Sequence, residues 1–344
     1  MERVRLGRTE LMVSRIALGG IPIMRLTRED AIAVIHEAIS LGINFIDTAR
    51  AYTDSEEKIG AAIRGIPREE LVLSTKSMGQ TAEELSNQLD TSLVALGVDY
   101  IDIFHLHSVS NQQRYDNVFE ENGPVHWLQE QVGEGKVRFP AFSSHSIDMA
   151  LKIMQTDQFD VAQLPFNFIE HEGEKAVELA SELDMGFISM KPLGGGRIDK
   201  AGPAFRYLMQ HDSIVPNPGI EALEEIREIV AIVEAKESLS KADESYIAKL
   251  REETGGTWCH RCDYCQPCSQ GIPIGGALLV EYTFTRYNSE GAHWMTDIPI
   301  KLARTCTECG DCLPRCPYHL DIPTLLKENI AAYDLIIQNE SLTQ

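Results

Sequence analysis

Short apolar runs alternate along the first 235 residues with longer stretches whose apolar positions recur every three or four residues. The short runs are SRIALGG (14–20), NFIDTA (44–49), LVLSTK (71–76), DIFHLH (102–107), VRFPAFS (137–143), FDVAQLPF (159–166), FISMKPL (187–193) and SIVPNPG (213–219), eight in all. Runs of that length predict strands. REDAIAVIHEAISLG, TAEELSNQLDTSLVALG, IDMALKIMQTDQ and ALEEIREIVAIVEAK predict amphipathic helices, and in the second Leu85, Leu89, Leu93 and Leu96 share one face. Strands alternating with helices predict a parallel sheet, because parallel neighbours need crossover connections. Eight such units close an α/β (β/α)8 TIM barrel. A doubly wound sheet is the rival, but it usually has fewer units. The opening VRLGRTELMVS has turn residues between two short extended pieces and predicts a hairpin closing the barrel bottom.

Polar residues interrupt this pattern at one kind of place. Asp47 ends the second run and Tyr52 follows it; Lys76 ends the third; His107 ends the fourth; Ser143 and Ser144 end the fifth; Gln163 lies in the sixth. In a barrel, the C-terminal ends of the strands converge on the mouth where chemistry is done. Each residue alone has a plainer reading. A tyrosine packs, a strand-end lysine is solvated, a strand-end aspartate caps the next helix. His105 shares strand parity with His107, so the pattern does not choose between the two histidines.

From about residue 236 the pattern changes. AKESLSKADESYIAKLREETGG predicts a charged helical linker over 236–256, and a cysteine-rich domain is expected over 257–344. All eight cysteines lie there, as Cys259, Cys262, Cys265 and Cys268, then Cys306, Cys309, Cys312 and Cys316. The second array, C-x2-C-x2-C-x3-C-P, has the spacing of bacterial two-cluster ferredoxins. The first departs from it in its last gap and in Ser269, yet GIPI after the first array is echoed by LDIP after the second. The two read as a duplicated, ferredoxin-like unit. In such folds the fourth ligand comes from the other array. The expected sets for two [4Fe–4S] clusters are therefore Cys259, Cys262, Cys265 with Cys316, and Cys306, Cys309, Cys312 with Cys268. Two structural zinc sites are the alternative, though zinc more often uses separated C-x2-C knuckles.

Composition narrows the class. With 344 residues and 43% apolar content the chain can bury a large core. It has no ~18-residue apolar run, so no membrane span is expected. The start has no apolar signal core, which makes cytoplasmic the expected location. A net charge of −21 argues against nucleic acid as a partner. A secreted disulfide framework suits short, signal-bearing chains, so metal ligation is the better reading of the cysteines.

The stretches FIDTARAYTDSEEKIG, STK and IDIFHLH, together with RLGRTELMVSRIALGG, GKVRFPAFSS and AQLPFNF, resemble the aldo-keto reductase family in the same order over residues 1–235. That resemblance implies a catalytic tetrad of Asp47, Tyr52, Lys76 and His107, and it selects His107 over His105. The chemistry fits independently. A free tyrosine, with a pKa of about 10, is too weak an acid to exchange protons readily near neutrality, and a nearby ammonium lowers it. Asp47 can hold the lysine, and His107 can orient a carbonyl oxygen. The resemblance also implies that Ser143 and Gln163 hold a nicotinamide carboxamide, with Ser144 where asparagine is usual and Met190, beside Lys191, where an aromatic platform is usual. Gly194, Gly195, Gly196 and Gly219 lie where barrels often hold phosphate, although glycines also simply turn a chain. Family members that use NADPH tend to place a basic residue after the last strand. Here Glu221, Glu224 and Glu225 follow Gly219, so NAD(H) is expected over NADP(H).

Two function classes result. One is an oxidoreductase acting on a small carbonyl or alcohol, coupled to electron transfer through the clusters, with a flavin as a conceivable converter and a ferredoxin or flavodoxin as redox partner. The other is an electron-transfer or redox-sensing iron–sulfur protein whose barrel does not catalyse. A hydride carries two electrons and each cluster one, so the coupling needs an account.

Overall fold

The computed structural model describes residues 1–254 and 258–343. Residues 255–257, where the expected linker ends and the expected cysteine domain begins, and Gln344 lie outside the described residues. The chain divides into two compact units, Met1–Ala248 and Lys249–Gln344.

The first unit opens with an antiparallel hairpin of β1 (Arg3–Arg5) and β2 (Met12–Ser14). Eight parallel strands follow: β3 (Leu18–Gly19), β4 (Phe45–Asp47), β5 (Val72–Ser77), β6 (Ile101–Leu106), β7 (Val137–Ser143), β8 (Val161–Pro165), β9 (Gly186–Met190) and β10 (Ile214–Asn217). They pair in sequence order. A parallel bridge between Gly19 and Gly219, with hydrogen bonds from Ala17 N to Pro216 O (2.9 Å) and Gly19 N to Pro218 O (2.8 Å), joins the first strand to the last. The (β/α)8 barrel is therefore closed, and every expected strand is present. The first and last strands are shorter than their apolar runs. Ser14 belongs to the hairpin, and Pro218 has no N–H to continue a ladder. A Cβ on Gly219 would stand 2.9 Å from Cγ of Pro22, so the chain can close there only with a residue that has none.

The hairpin plugs one end. Leu6, Leu11 and Val13 pack against Phe45, Val72, Ile103, Ala141, Val161, Ile188 and Val215, one inward residue from each of β4 to β10. Side chains alternate along a strand with period two. Whatever sits two or four residues beyond this apolar floor must also face inward, nearer the mouth. Those positions are Asp47, Ser74, Lys76, His105, His107, Ser143, Gln163, Met190 and Asn217.

The surrounding helices carry ordinary start signals. Thr27, Thr81, Asn111 and Ser146 each accept a backbone N–H at a helix start, and Gly97 closes the helix Ala82–Leu96 in the left-handed conformation. One expected face is shifted. In Ala82–Leu96 the buried residues are Leu85, Leu89, Ser92 and Leu96, while Leu93 is only half-buried. Ser92 turns inward because its hydroxyl bonds the buried Glu56 carboxylate.

In the second unit the described residues form helices Ile274–Ala277, Val280–Arg286, Ser289–Ala303 and Ile322–Thr343 around two cysteine-bearing loops. Ile272, Ile274, Val280, Ile300, Leu320, Ile322 and Leu326 form its core together with Cys265 and Cys316. The isoleucines of GIPI and LDIP thus occupy equivalent places, each leading from a cysteine loop into a helix. Among the described residues no helix is long and apolar enough to cross a membrane.

Candidate functional site

At the mouth end of the barrel the chain buries an ion pair. Nζ of Lys76 lies 2.7 Å from both carboxylate oxygens of Asp47 and 2.6 Å from the carbonyl oxygen of Thr48. Both side chains are about 2–3% exposed. A buried charge is tolerable only when it is paired and its remaining hydrogen-bonding capacity is met. Asp47 meets that condition fully. Ser74 Oγ donates to its Oδ1 (2.8 Å), and Gln163 Nε2 (3.0 Å) and Asn217 Nδ2 (2.6 Å) donate to its Oδ2. Burial pushes the carboxyl pKa up, but the Lys76 ammonium and the Gln163 donor outweigh it, and the pKa is lowered. Burial lowers the Lys76 pKa, and Asp47 offsets part of that fall.

Tyr52 lies over this pair. Its ring centroid is 5.5 Å from Lys76 Nζ, and the His107 ring stands edge-on to it at 6.2 Å. The loop that carries Tyr52 is held on several sides. Arg50 N donates to Lys76 O (3.0 Å), Thr48 N to Ser74 O (2.8 Å), and the Arg50 guanidinium pairs with the buried Glu56. The structure separates the two histidines that strand parity leaves equivalent. His107 lies just past β6, half-buried beside Tyr52, whereas His105 is fully buried and registers with Lys76. His105 Nε2 is 2.9 Å from Ser74 Oγ. Its Nδ1 lies 3.3 Å from the Phe142 carbonyl oxygen, so both ring nitrogens have polar neighbours. Burial, then the nearby Lys76 ammonium, push its pKa down to about 3.

The other expected residues divide. Gln163 joins the Asp47 network, and its Oε1 is buried with no hydrogen-bond partner, an acceptor left for a donor from outside. Ser143 accepts from Ser108 N (2.9 Å) and keeps its own proton to donate. Ser144 is fully buried and its hydroxyl bonds the backbone of Ser146, within the loop after β7. Met190 ends β9, and Lys191 follows in a left-handed conformation (φ 57°) with Nζ 3.5 Å from the buried Glu170. Gly194, Gly195 and Gly196 all have positive φ, and the first and third turn the chain through bonds to Lys191 O and Leu193 O. Asn217, Ser74 and His105 are the members that sequence reading left out. Asn217 ends the eighth strand, the kind of position that marks the others. In PNPG it reads as a turn residue.

In the second unit the cysteines face two cavities. One, of about 330 Å³, is lined by Cys259, Cys262, Cys265 and Cys316, with His260 and Tyr318 on its wall. The other, of about 400 Å³, is lined by Cys268, Cys306, Cys309 and Cys312, with Cys265 shared. The first cavity therefore gathers three thiols of the first array and one of the second, and the other gathers three of the second array with Cys268 and the shared Cys265 of the first. Burial and neighbouring thiols push Cys262 up to about 11 and Cys265 to about 12. Thiols held this way stay protonated unless a bound cation draws the protons off.

Residues 15–203 match the aldo/keto reductase family, more than half of the chain. The chain belongs to that family. Residues 258–321 match a 4Fe-4S dicluster domain. Among relatives, L-galactose dehydrogenase of Arabidopsis thaliana is 29% identical over 58% of this chain and 67% of that protein. The NADH-specific methylglyoxal reductase of Escherichia coli (strain K12) is 28% identical over 55% of this chain and 69% of its own length. Among solved structures, aldo-keto reductase AKR11C1 from Bacillus halodurans, holo form, superposes with a TM-score of 0.63 at 21% identity, covering 73% of this chain and 96% of that one. An aldo-keto reductase from Klebsiella pneumoniae in complex with NADPH superposes at 0.61 with 21% identity over 73% and 95%. This family member is thus an oxidoreductase-family barrel joined in one chain to an iron–sulfur domain.

The buried neutral His105 makes the barrel acid-sensitive. Its folded pKa, about 3, lies below its ordinary 6.5, so in between the unfolded chain takes up a proton that the folded chain refuses. That contribution is complete above about pH 6.5 and is lost as pH falls towards 3. Between pH 7.5 and 5, barrel stability in the wild type should fall about 1–2 kcal/mol further than in His105→Gln, read from hydrogen exchange of the barrel strands. Equal losses in the two proteins would show that His105 is not the group responsible.

Proposed function

We propose that the barrel reduces small carbonyl compounds, or oxidises the corresponding alcohols, with a nicotinamide cofactor, and that the second unit holds two [4Fe–4S] clusters. The observation that carries the first half is the Lys76–Asp47 pair buried directly beneath Tyr52, with His107 at its edge. Tyr52 is the proton donor to the carbonyl oxygen. The Lys76 ammonium favours the phenolate left behind, and Asp47 keeps that lysine in place. His107 orients the carbonyl oxygen. The bound nicotinamide supplies the hydride. Gln163, with its buried and unsatisfied Oε1, and Ser143, with a proton to donate, fit a carboxamide, which has both an N–H and a carbonyl oxygen to satisfy.

The end of the last strand favours NAD(H). Glu225 Oε2 already accepts the backbone N–H groups of Glu221 (2.9 Å) and Ala222 (3.1 Å), and Glu221 pairs with Arg25. The helix N-terminus and Arg25 are therefore both engaged with the chain's own carboxylates, where a 2′-phosphate would need such groups. The E. coli relative's printed specificity for NADH agrees with this preference.

The two cysteine sets match the alternation of three ligands and one that a two-cluster domain requires. Cys259, Cys262, Cys265 and Cys316 hold one cluster, and Cys268, Cys306, Cys309 and Cys312 the other. Cys309 is the exposed cysteine, and Cys265 and Cys316 are buried. The second cluster is accordingly the one nearer solvent, suited to a one-electron partner such as a ferredoxin or flavodoxin. Because a hydride carries two electrons, cluster reduction by NADH, with and without added flavin, decides whether the barrel and the clusters exchange electrons.

Tyr52→Phe should lower carbonyl reduction about 100-fold or more while leaving cofactor binding intact, and activity surviving that change would reject the proton-donor role. NADH should bind more tightly than NADPH in a fluorescence titration, with Glu225→Ser narrowing the gap; tighter NADPH binding in the unaltered chain would refute the preference. Protein purified without oxygen should be brown and carry about eight iron and eight sulfide per chain, and Cys268→Ala and Cys316→Ala should each lose about half. A colourless, zinc-rich protein would refute the clusters.

A further inference from the structure

Asn217 makes the shortest of the amide contacts to Asp47, 2.6 Å from Nδ2 to Oδ2, and it is itself buried. Oδ2 of Asp47 thereby faces three donors: Lys76 at 2.7 Å, Gln163 at 3.0 Å and Asn217 at 2.6 Å. A carboxylate oxygen offers two good lone-pair directions, so three donors compete. The competitors are unequal. The two amides are held by the ends of β8 and β10, which fix where their NH2 groups point. Lys76 is a flexible point charge with three N–H bonds, and its three acceptors are Oδ1 and Oδ2 of Asp47 and Thr48 O. While all three are so engaged, the lysine acts on Tyr52 through its charge alone.

We propose that Asn217 is a positioning residue of the barrel site: with Gln163 it anchors Oδ2 of Asp47, and through that carboxylate it holds the Lys76 ammonium beneath Tyr52. This inference rests on Tyr52 being the proton donor. Both amides also stabilise the carboxylate in its ionised form, which keeps the pair at zero net charge and leaves the ammonium where the phenolate will form. Loss of Asn217 leaves Asp47 with one donor fewer and free to turn, so the ammonium it carries is held less firmly beneath the phenolate.

The test compares Asn217→Ala and the isosteric Asn217→Asp with the wild-type full chain, its clusters in place. Two readings are taken. The first is the ultraviolet phenolate difference between each protein and the same protein carrying Tyr52→Phe, followed against pH, which needs no turnover. The second is the pH profile of alcohol oxidation, in which the rate rises as Tyr52 becomes able to accept a proton. In both variants the phenolate transition and the kinetic limb should move together to higher pH, by about one unit for alanine, with a roughly tenfold lower rate at neutral pH. The aspartate variant, which sets a second carboxylate against the first, should move further. A uniform loss of rate with neither transition displaced would overturn the proposal and leave Asn217 a packing residue. If Tyr52→Phe itself retains full activity, it is the tyrosine role that fails, and that result is separate from the Asn217 comparison.

Discussion

The barrel mouth is organised around one costly object, a lysine and an aspartate buried together. Removing an ammonium and a carboxylate from water costs several kcal/mol each, and mutual attraction repays this only if the geometry is good and the remaining hydrogen-bonding capacity is met. Each feature of the surroundings answers that demand. Ser74 and the amides of Gln163 and Asn217 cover the carboxylate, and the Thr48 carbonyl takes the ammonium's third proton. His105 stays neutral beneath Ser74, which avoids a second positive charge in the same small volume. The tyrosine loop is pinned to β5 by backbone bonds from Thr48 and Arg50. A residue set that looks catalytic is, by the same measure, the set needed to keep a charge pair out of water.

Much of this can be read from the chain because barrel strands write their instructions with period two. Apolar runs of six to eight residues between amphipathic stretches are enough to predict eight strand–helix units, and polar residues at strand ends identify Asp47, Lys76, Ser143 and Gln163 as mouth residues. What could not be read depends on depth and on partners. Parity places both His105 and His107 inside, and only the height of each in the barrel distinguishes the buried one from the one beside Tyr52. Asn217, between two prolines, has the local chemistry of a turn, and its bond to Asp47 spans 170 positions of sequence. Ser144 shows the opposite effect: its position is right for a cofactor contact, but the neighbouring Ser146 backbone claims its hydroxyl.

The cysteine arrays illustrate a different kind of legibility. Spacing alone says that three thiols in each array can reach one centre, and it cannot say which array supplies the fourth corner. In the structure Cys316 lines the cavity of the first array, and Cys268, with Cys265, lines that of the second. Cys268 follows a short gap and a proline, and the Gln266 side chain spans this loop, accepting the Cys268 backbone N–H (2.9 Å) and donating to Ile272 O (2.8 Å).

Strand β5 carries three functions on one ribbon. Val72 belongs to the apolar floor, Ser74 to the layer that links His105 with Asp47, and Lys76 to the charge pair. They are spaced two apart, so no one of them can be shifted alone. Insertion or loss of a single residue upstream in this strand would turn all three outward together, putting Thr75 or Ser77 in place of the ammonium in the barrel interior. Folding and chemistry are thus under a common reading frame: a lineage can vary its loops freely, but the distance from floor to mouth along each strand is a fixed syllable count.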